Sequence, residues 1–380
     1  MMKKVIAVAA ASIVLMSGGL AHNEAQAASE NEGQIMVPVI VNGHKVKFPD
    51  TEPYVDSNGR TMVPVRFVSE MLGGKVDWNA ATSTVTIATQ GKTISLTIGS
   101  KTPTVNGHSV ELDTAAAMVD GRTMVPLRFV SEALESKVTW DEGAHAVQIT
   151  DAAYQAKMDN GTVKLDAWGR ELSGEADERW NKLADVPGFV YDLETYATDS
   201  NKAYTEKNYN GANKAYVDQW AGKIRNYYQA QLNINYRTID ETAFSETLLS
   251  NMGIDKASTY GVKKAIHEYV NWVKQNHVIS VGYADPENSL VTHRSRGPVF
   301  LTHFKFMIIQ AVDSSQTFMD NTQVSEWADS FKLKVGVWYE GYADVPLGTN
   351  AINMQKDYFG LTANENMFAT GHYRYVEISQ

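Results

Sequence analysis

The twelve residues GRTMVPVRFVSE at positions 59–70 return as GRTMVPLRFVSE at positions 121–132, with Leu127 in place of Val65 as the single change. The same offset of 62 (121 against 59) relates Trp78 to Trp140 and TVTI at 84–87 to AVQI at 146–149, and the VNG at 41–43 returns at 105–107. A unit of about sixty residues used twice is one supersecondary element that buries its apolar face against its neighbour. The expectation is therefore one packed domain over residues 35–150, built of two repeats.

Each copy reads in the same order. VPVIVNGHKVKF alternates apolar and polar residues around Asn42 and Gly43, a dipeptide that readily takes the positive φ values of a two-residue hairpin. A second turn falls at Asn58 and Gly59, and Pro64, with no amide hydrogen to donate, ends regular pairing. Phe67, Val68, Met71 and Leu72 then fall at helical spacing, with Gly73 as the stop and Trp78 placed to cover the helix. The second copy keeps Phe129, Val130, Ala133 and Leu134 but has Glu135 where the glycine stood, which predicts a different helix end. Arg66 and Glu70, like Arg128 and Glu132, are four apart and pair across one turn. That is the simpler reading of these arginines; a repeated binding surface that also uses Arg60 and Arg122 is the alternative.

The run VNG, GRTMVPVRFVSE, a tryptophan and TVTI resembles the copper amine oxidase N-terminal domain family, a bacterial stalk module, over residues 35–150. The resemblance implies an α+β spacer at the front of secreted bacterial proteins, with no catalytic role of its own. It does not imply the oxidase. That enzyme needs a copper site and a tyrosine in an Asn-Tyr-Asp or Asn-Tyr-Glu context. This chain has no His-x-His pair and only NYN at 208–210, and the 230 residues of 151–380 are too few for the oxidase's catalytic domain.

Lys3 and Lys4, the apolar run VIAVAAASIVLM and the small-residue site Ala25-Gln26-Ala27 have the layout of a secretory signal over residues 1–27, with 28–34 as a linker. The expected location is extracellular, with or without association to the cell surface. No later stretch reads as a membrane span, and the absence of cysteine removes disulfides and lipidated cysteine. A net charge of −10 without a basic patch argues against nucleic acid as a partner.

Beyond residue 150 the strand rhythm stops. After a linker at 151–167, residues 168–380 read as helices followed by strands. EADERWNKLAD, GANKAYVDQWAGKIRNYYQAQ, DETAFSETLLSNMG with Asp240 as cap, and YGVKKAIHEYVNWVKQNH are the expected helices, the last with Val262, Ile266, Tyr269, Val270 and Val273 on its inner face. LNINYRTI, VISVGYA, GPVFLTHFKFMIIQAV, FKLKVGVWYEGYA and GHYRYVEIS are the expected strands. In the third of these, Phe300, Thr302, Phe304 and Phe306 share one face and Leu301, His303 and Lys305 the other. The fold class is α+β: a duplicated β-rich domain, then helices packed on a curved antiparallel sheet, in an element order similar to NTF2-like and cystatin-like folds.

GYADPE at 282–287 and GYADVP at 341–346 read as turns closing two strands. Asp285, Glu287 and Asp344 within them are the candidates for a carboxylate pair cleaving glycosidic bonds. His303, Lys305, His372 and Arg374 alternate on strands that, if neighbours, place a polar cluster on a concave face. Tyr339, Tyr342, Tyr373 and Tyr375 lie near strand ends, where exposed rings stack on sugars or anchor protein interfaces. His267, His277 and His293 lack metal-ligand spacing, and the chain has no G-x-S-x-G, H-E-x-x-H or P-loop, so neither metal nor cofactor is expected. The leading reading is a secreted envelope protein whose stalk displays a non-catalytic domain that binds a cell-wall glycan or an extracellular protein. A glycan-cleaving envelope hydrolase is the alternative.

Overall fold

The computed structural model describes residues 36–89, 91–176, 181–186, 212–254, 259–294, 297–315, 318, 333–348, 359–362, 367–368 and 373–378. The signal segment, the linker at 28–34, the NYN triplet and His372 lie outside them.

The first copy comprises β1 (Val39–Val41), β2 (His44–Lys45), β3 (Tyr54–Val55), β4 (Thr61–Pro64), α1 (Val65–Met71), β5 (Lys75–Asn79) and β6 (Thr84–Thr89). The second adds β7 (Lys92–Thr97), β8 (Thr104–Val105), β9 (His108–Ser109), β10 (Ala117–Val119), β11 (Arg122–Pro126), α2 (Leu127–Ala133), β12 (Lys137–Asp141) and β13 (Ala146–Thr150). The duplicated segment pairs with itself. β4 and β11 run antiparallel with Val63 opposite Val125, Met62 opposite Pro126 and Pro64 opposite Met124. Val63 and Val125 are counterparts in the repeat, so a local two-fold axis passes through this ladder, as in the isologous contact of a symmetric dimer. Each copy of the motif is the other's partner, which is a physical reason for the two to stay alike. Both valines are fully buried, as are Val68 and Val130 on the two touching helices, each contributing about 1.5–3 kcal/mol by leaving water.

The sheets exchange strands between copies. β5 and β6 are extended by β7, β8 and β9, whereas β12 and β13 are extended by β1 and β2, with β1 parallel to β13. The first strand thus closes on the last, and one continuous core runs through both copies. Asn42 and Gly43 (φ 50° and 76°) and Asn106 and Gly107 (φ 51° and 79°) make the expected hairpin turns.

One expectation changes. Glu135 takes the left-handed φ of 60° at the position where Gly73 has 78°, so the helices end alike, with Gly74 N to Ser69 O and Ser136 N to Ser131 O both at 2.8 Å. The shared packing overrides the cost of about 1–2 kcal/mol for a left-handed side-chain-bearing residue. Trp78, expected over the helix, shares a groove with Val65, Arg66 and Phe67 of α1 and is 41% exposed, and Trp140 is 42% exposed.

After β13, Asp151 caps α3 (Ala152–Asp159) by accepting from Tyr154 N at 2.7 Å. β14 (Leu172–Ala176) and β15 (Asn181–Leu183) form a hairpin across the stretch expected to be helical. Leu172 and Leu183 pack on Leu290, Leu301 and Tyr342, a burial that favours paired strands over a helix at Leu172–Ala176 and Asn181–Leu183; residues 177–180 of the expected helix lie outside the described ones. α4 (Ala212–Leu232), α5 (Glu241–Asn251) and α6 (Thr259–Gln275) follow, α5 capped by Asp240 accepting from Ala243 N at 2.8 Å. LNINYRTI contributes only an isolated bridge between Asn235 and Ile279 rather than a strand.

The final sheet contains β16 (Ile279–Arg294), β17 (Gly297–Gln310), β18 (Trp338–Gly348), β19 (Gly360–Leu361) and β20 (Tyr373–Ile378), ordered β16-β17-β18 with β19 and β20 both paired to β18. Phe300, Phe304, Phe306 and Ile308 on one face meet Trp220, Ile224 and Tyr228 of α4 and Ile266 and Val270 of α6. This is the α+β arrangement of helices on a curled antiparallel sheet. GYADPE and GYADVP are not turns but lie inside β16 and β18. Pro286 is tolerated where the β16–β17 register shifts between residues 286 and 291.

Candidate functional site

The face of this sheet turned away from the helices is covered by the repeat domain together with the β14–β15 hairpin. Strand alternation puts Asp285, His303, Tyr342 and Arg374 in one row, because Asp285 pairs with His303, His303 with Tyr342, and Tyr342 with Arg374. The next row holds Tyr283, Lys305 and Glu340. β2 and the segment after it, residues 45–52, lie against both rows. Together they enclose a cleft lined by Lys45, Phe48, Glu52, Tyr283, Asp285, Glu287, His303, Glu340 and Tyr342, among others.

The contacts are ionic and buried. The Lys45 ammonium lies 2.6 Å from Asp285 Oδ2 and 3.0 Å from Glu287 Oε1. Arg170, 3% exposed, donates to Glu287 Oε2 at 2.8 Å and to both oxygens of Asp185 at 2.6 and 3.1 Å. Asp185 also accepts from Lys45 N at 2.5 Å. In the second row the Lys305 ammonium, 1% exposed, donates to Glu52 Oε1 at 3.0 Å and to Pro49 O at 3.1 Å, and sits 5.4 Å from the Trp338 ring centroid. Tyr283 donates its hydroxyl to Glu52 at 3.2 Å, and His303 Nε2 lies 2.9 Å from Glu340 Oε1. Each buried charge has an opposite charge within hydrogen-bond reach, the condition for keeping ions out of water.

Protonation follows from these partners. Burial alone would push the Glu287 carboxyl up; Lys45 and Arg170 more than offset it and hold it down to about 2. Burial wins at Glu52, whose carboxyl is raised in spite of Lys305. The hydrogen bond from His303 lowers Glu340. Burial, then Glu287 and Asp285, raise the Tyr342 hydroxyl.

A second contact joins the β12–β13 turn to α4. Lys214 bridges Asp141 at 3.1 Å and Asp218 at 2.8 Å, Arg225 donates to Ala144 O at 3.0 Å, and Asp218 accepts from Trp168 Nε1 and Asn288 Nδ2, both at 2.7 Å. Residues 33–380 accordingly form one compact unit.

The sequence candidates are therefore distributed as follows. Asp285 and Glu287 are 3% and 2% exposed and share one ammonium; Asp344, 2% exposed, does not line the cleft. His303 and Lys305 belong to the junction, and β18 separates them from Arg374. Tyr339 and Tyr375, 1% and 8% exposed, pack in the helix-side core; Tyr342, 8% exposed, walls the cleft. The side chains of Tyr373 and Arg374 lie outside the described ones. Lys45, Glu52, Arg170 and Asp185 went unread in the sequence. For Lys45 a signal was present: its counterpart in the second copy is Ser109.

Chemically the junction binds two parts of the chain together. The cleft's volume of about 40 Å³ has room for two or three waters and none for a sugar ring. A general acid for glycoside cleavage needs a raised pKa, the reverse of Glu287. Among the described residues no group of three or more His, Asp or Glu side chains is placed to hold a metal ion, and no helix is long and apolar enough to cross a membrane.

Comparison with known proteins adds one match. No curated protein and no solved structure matches the chain. The two-repeat unit is recognised on its own: residues 40–149 match the family described as the copper amine oxidase N-terminal domain, and this part of the chain is such a domain.

Proposed function

We propose that the protein is a secreted bacterial envelope protein in which the copper amine oxidase N-terminal domain holds and orients a non-catalytic C-terminal domain that binds an extracellular ligand, a cell-wall glycan or another extracellular protein. The observation that carries this reading is the junction: two buried carboxylates of the C-terminal sheet, Asp285 and Glu287, neutralise Lys45 of the repeat domain instead of facing a substrate cleft. The basic, apolar and small-residue order of residues 1–27 supports export.

The test takes the purified chain from residue 28 and isolated cell wall of the producing organism. Retention on the wall without release of soluble sugar is the expected result, together with a mature protein in the extracellular or envelope fraction that begins after Ala27. Release of reducing ends that disappears in folded Asp285→Asn or Asp344→Asn variants would establish the hydrolase instead.

A further inference from the structure

Two grooves on the repeat domain are copies of each other. Seven residues of the first copy, from Pro64 through Trp78 to Val85, line the smaller. Their seven counterparts 62 positions on (126 against 64), from Pro126 through Trp140 to Val147, line the larger. The other copy contributes to the opposite wall in each case, with Arg122 in the smaller groove and Arg60 in the larger, where Val110–Asp113 of the second copy complete it. The volumes are about 180 and 660 Å³, the larger within the range of small-molecule sites.

The exposed apolar surface of the domain collects in these two places. Of the ten large hydrophobic residues exposed among the described residues, Val55, Val110 and Trp140 line the larger groove and Trp78 and Met118 the smaller. An indole that only filled a core would not stand about 40% exposed at the same position of both copies. Both rims carry ion pairs. Arg60 pairs with Asp113 beside Trp140, Arg122 pairs with Asp50 at 2.5 Å, and Arg66 lies 3.5 Å from Glu70 beside Trp78. Such rims neither select an anion nor repel one; they offer guanidinium donors and carboxylate acceptors side by side.

We propose that the two grooves are equivalent saccharide sites, each stacking a sugar ring on its tryptophan and hydrogen-bonding the ring's hydroxyls to the Arg–carboxylate pairs. A β-linked N-acetylhexosamine chain fits this chemistry. Its rings present a flat C–H face to an indole and an edge of hydroxyls that need donors and acceptors together, and its acetamido methyls suit the Val, Met and Phe walls. A repeating polymer also matches a repeated site, because two grooves on one rigid domain can hold one chain at two points. The inference concerns the repeat domain alone and stands whatever residues 151–380 bind.

The experiment uses the chain from residue 28 with a β-1,4-linked N-acetylglucosamine hexasaccharide and with the insoluble polymer. Of the eight tryptophans, the indole N–H signals of Trp78 and Trp140 are expected to shift on titration with the hexasaccharide. Trp78→Ala and Trp140→Ala should each remove one binding equivalent. Each should also weaken retention on the polymer about tenfold or more, and the double variant about a hundredfold or more. Trp78→Phe and Trp140→Phe should restore most of the retention, since a ring still stacks; rescue of this kind rules out a merely structural effect. Unmoved Trp78 and Trp140 signals at millimolar hexasaccharide would overturn the proposal. So would unchanged retention of a folded double variant, or capture of a protein by the grooves in place of glycan.

Discussion

The two copies share a motif and a turn, yet their hairpins are used differently. In the first, Val46 and Phe48 are 7% and 6% exposed, and Lys45 reaches into the C-terminal sheet. In the second, the counterparts Val110 and Leu112 wall the open larger groove, and Ser109 is exposed at the position of Lys45. The backbone turn is the same in both, φ near 50° at asparagine and near 77° at glycine. The rim residues differ with the docking: Lys45 and Lys47 face an acidic sheet, where the second copy has Ser109 and Glu111. The lesson is that a duplicated scaffold can keep its self-complementary centre fixed while each rim is assigned a separate task. The stalk is thus not a free spacer, because one of its two copies is part of the C-terminal domain's ionic core.

Breaking that asymmetry has its largest effect at Lys45. Lys45→Ala leaves Asp285 without its ammonium and Glu287 with Arg170 alone, and should cost about 3–5 kcal/mol in denaturant unfolding. Ser109→Ala at the equivalent position should stay within about 0.5 kcal/mol.

Next in size is a pH effect. A carboxyl held down to about 2, against an ordinary value of about 4.3, contributes stability that is fully present above the ordinary value and is lost as pH falls toward 2. The stability difference between the native chain and Glu287→Gln should therefore shrink by about 2.5 kcal/mol between pH 5 and pH 2. Glu52, with its raised carboxyl, has the opposite slope but contributes equally to both proteins and cancels in the difference. A pH-independent difference would show that Glu287 does not carry the ion pair.

A smaller contrast lies in the turn glycines. A Cβ at Gly43 would strike Tyr154 Oη and come within 2.9 Å of Glu171 Cβ, whereas one at Gly107 meets nothing within 4 Å. Gly107→Ala should cost about 1 kcal/mol, the left-handed strain alone. Gly43→Ala adds overpacking and should cost about 2–3 kcal/mol. Equal melting shifts for the two variants would contradict the docked position of the first hairpin.

Much of the scaffold was readable because it depends on local rules. The Asn-Gly turns, the Asp240 cap, the inner face of α6 and the two faces of β17 follow from backbone conformation and periodicity, which neighbouring residues set. The recognised domain was readable from its long motif. What stayed hidden depends on distant pairing. Lys45 on an alternating strand looks like any solvated lysine until Asp285, 240 positions away, is placed beside it. Gly and Pro in GYADPE and GYADVP signal turns locally; the β16–β17 register shift explains why β16 tolerates Pro286, and Pro346 of β18 sits between the stretches that pair with β20 and β19. The pair Lys45 and Ser109 was the one visible clue, since identical scaffolds with a changed rim residue mark a change of neighbour.

Calorimetry of the chain from residue 28 tests the central claim, that the repeat domain and the C-terminal domain are one cooperative body joined at Lys45. The account predicts a single transition whose calorimetric and van't Hoff enthalpies agree, separating into two in Lys45→Ala as the domains unfold independently. Two transitions already present in the native protein, with the repeat domain's midpoint unmoved by Lys45→Ala, would contradict it.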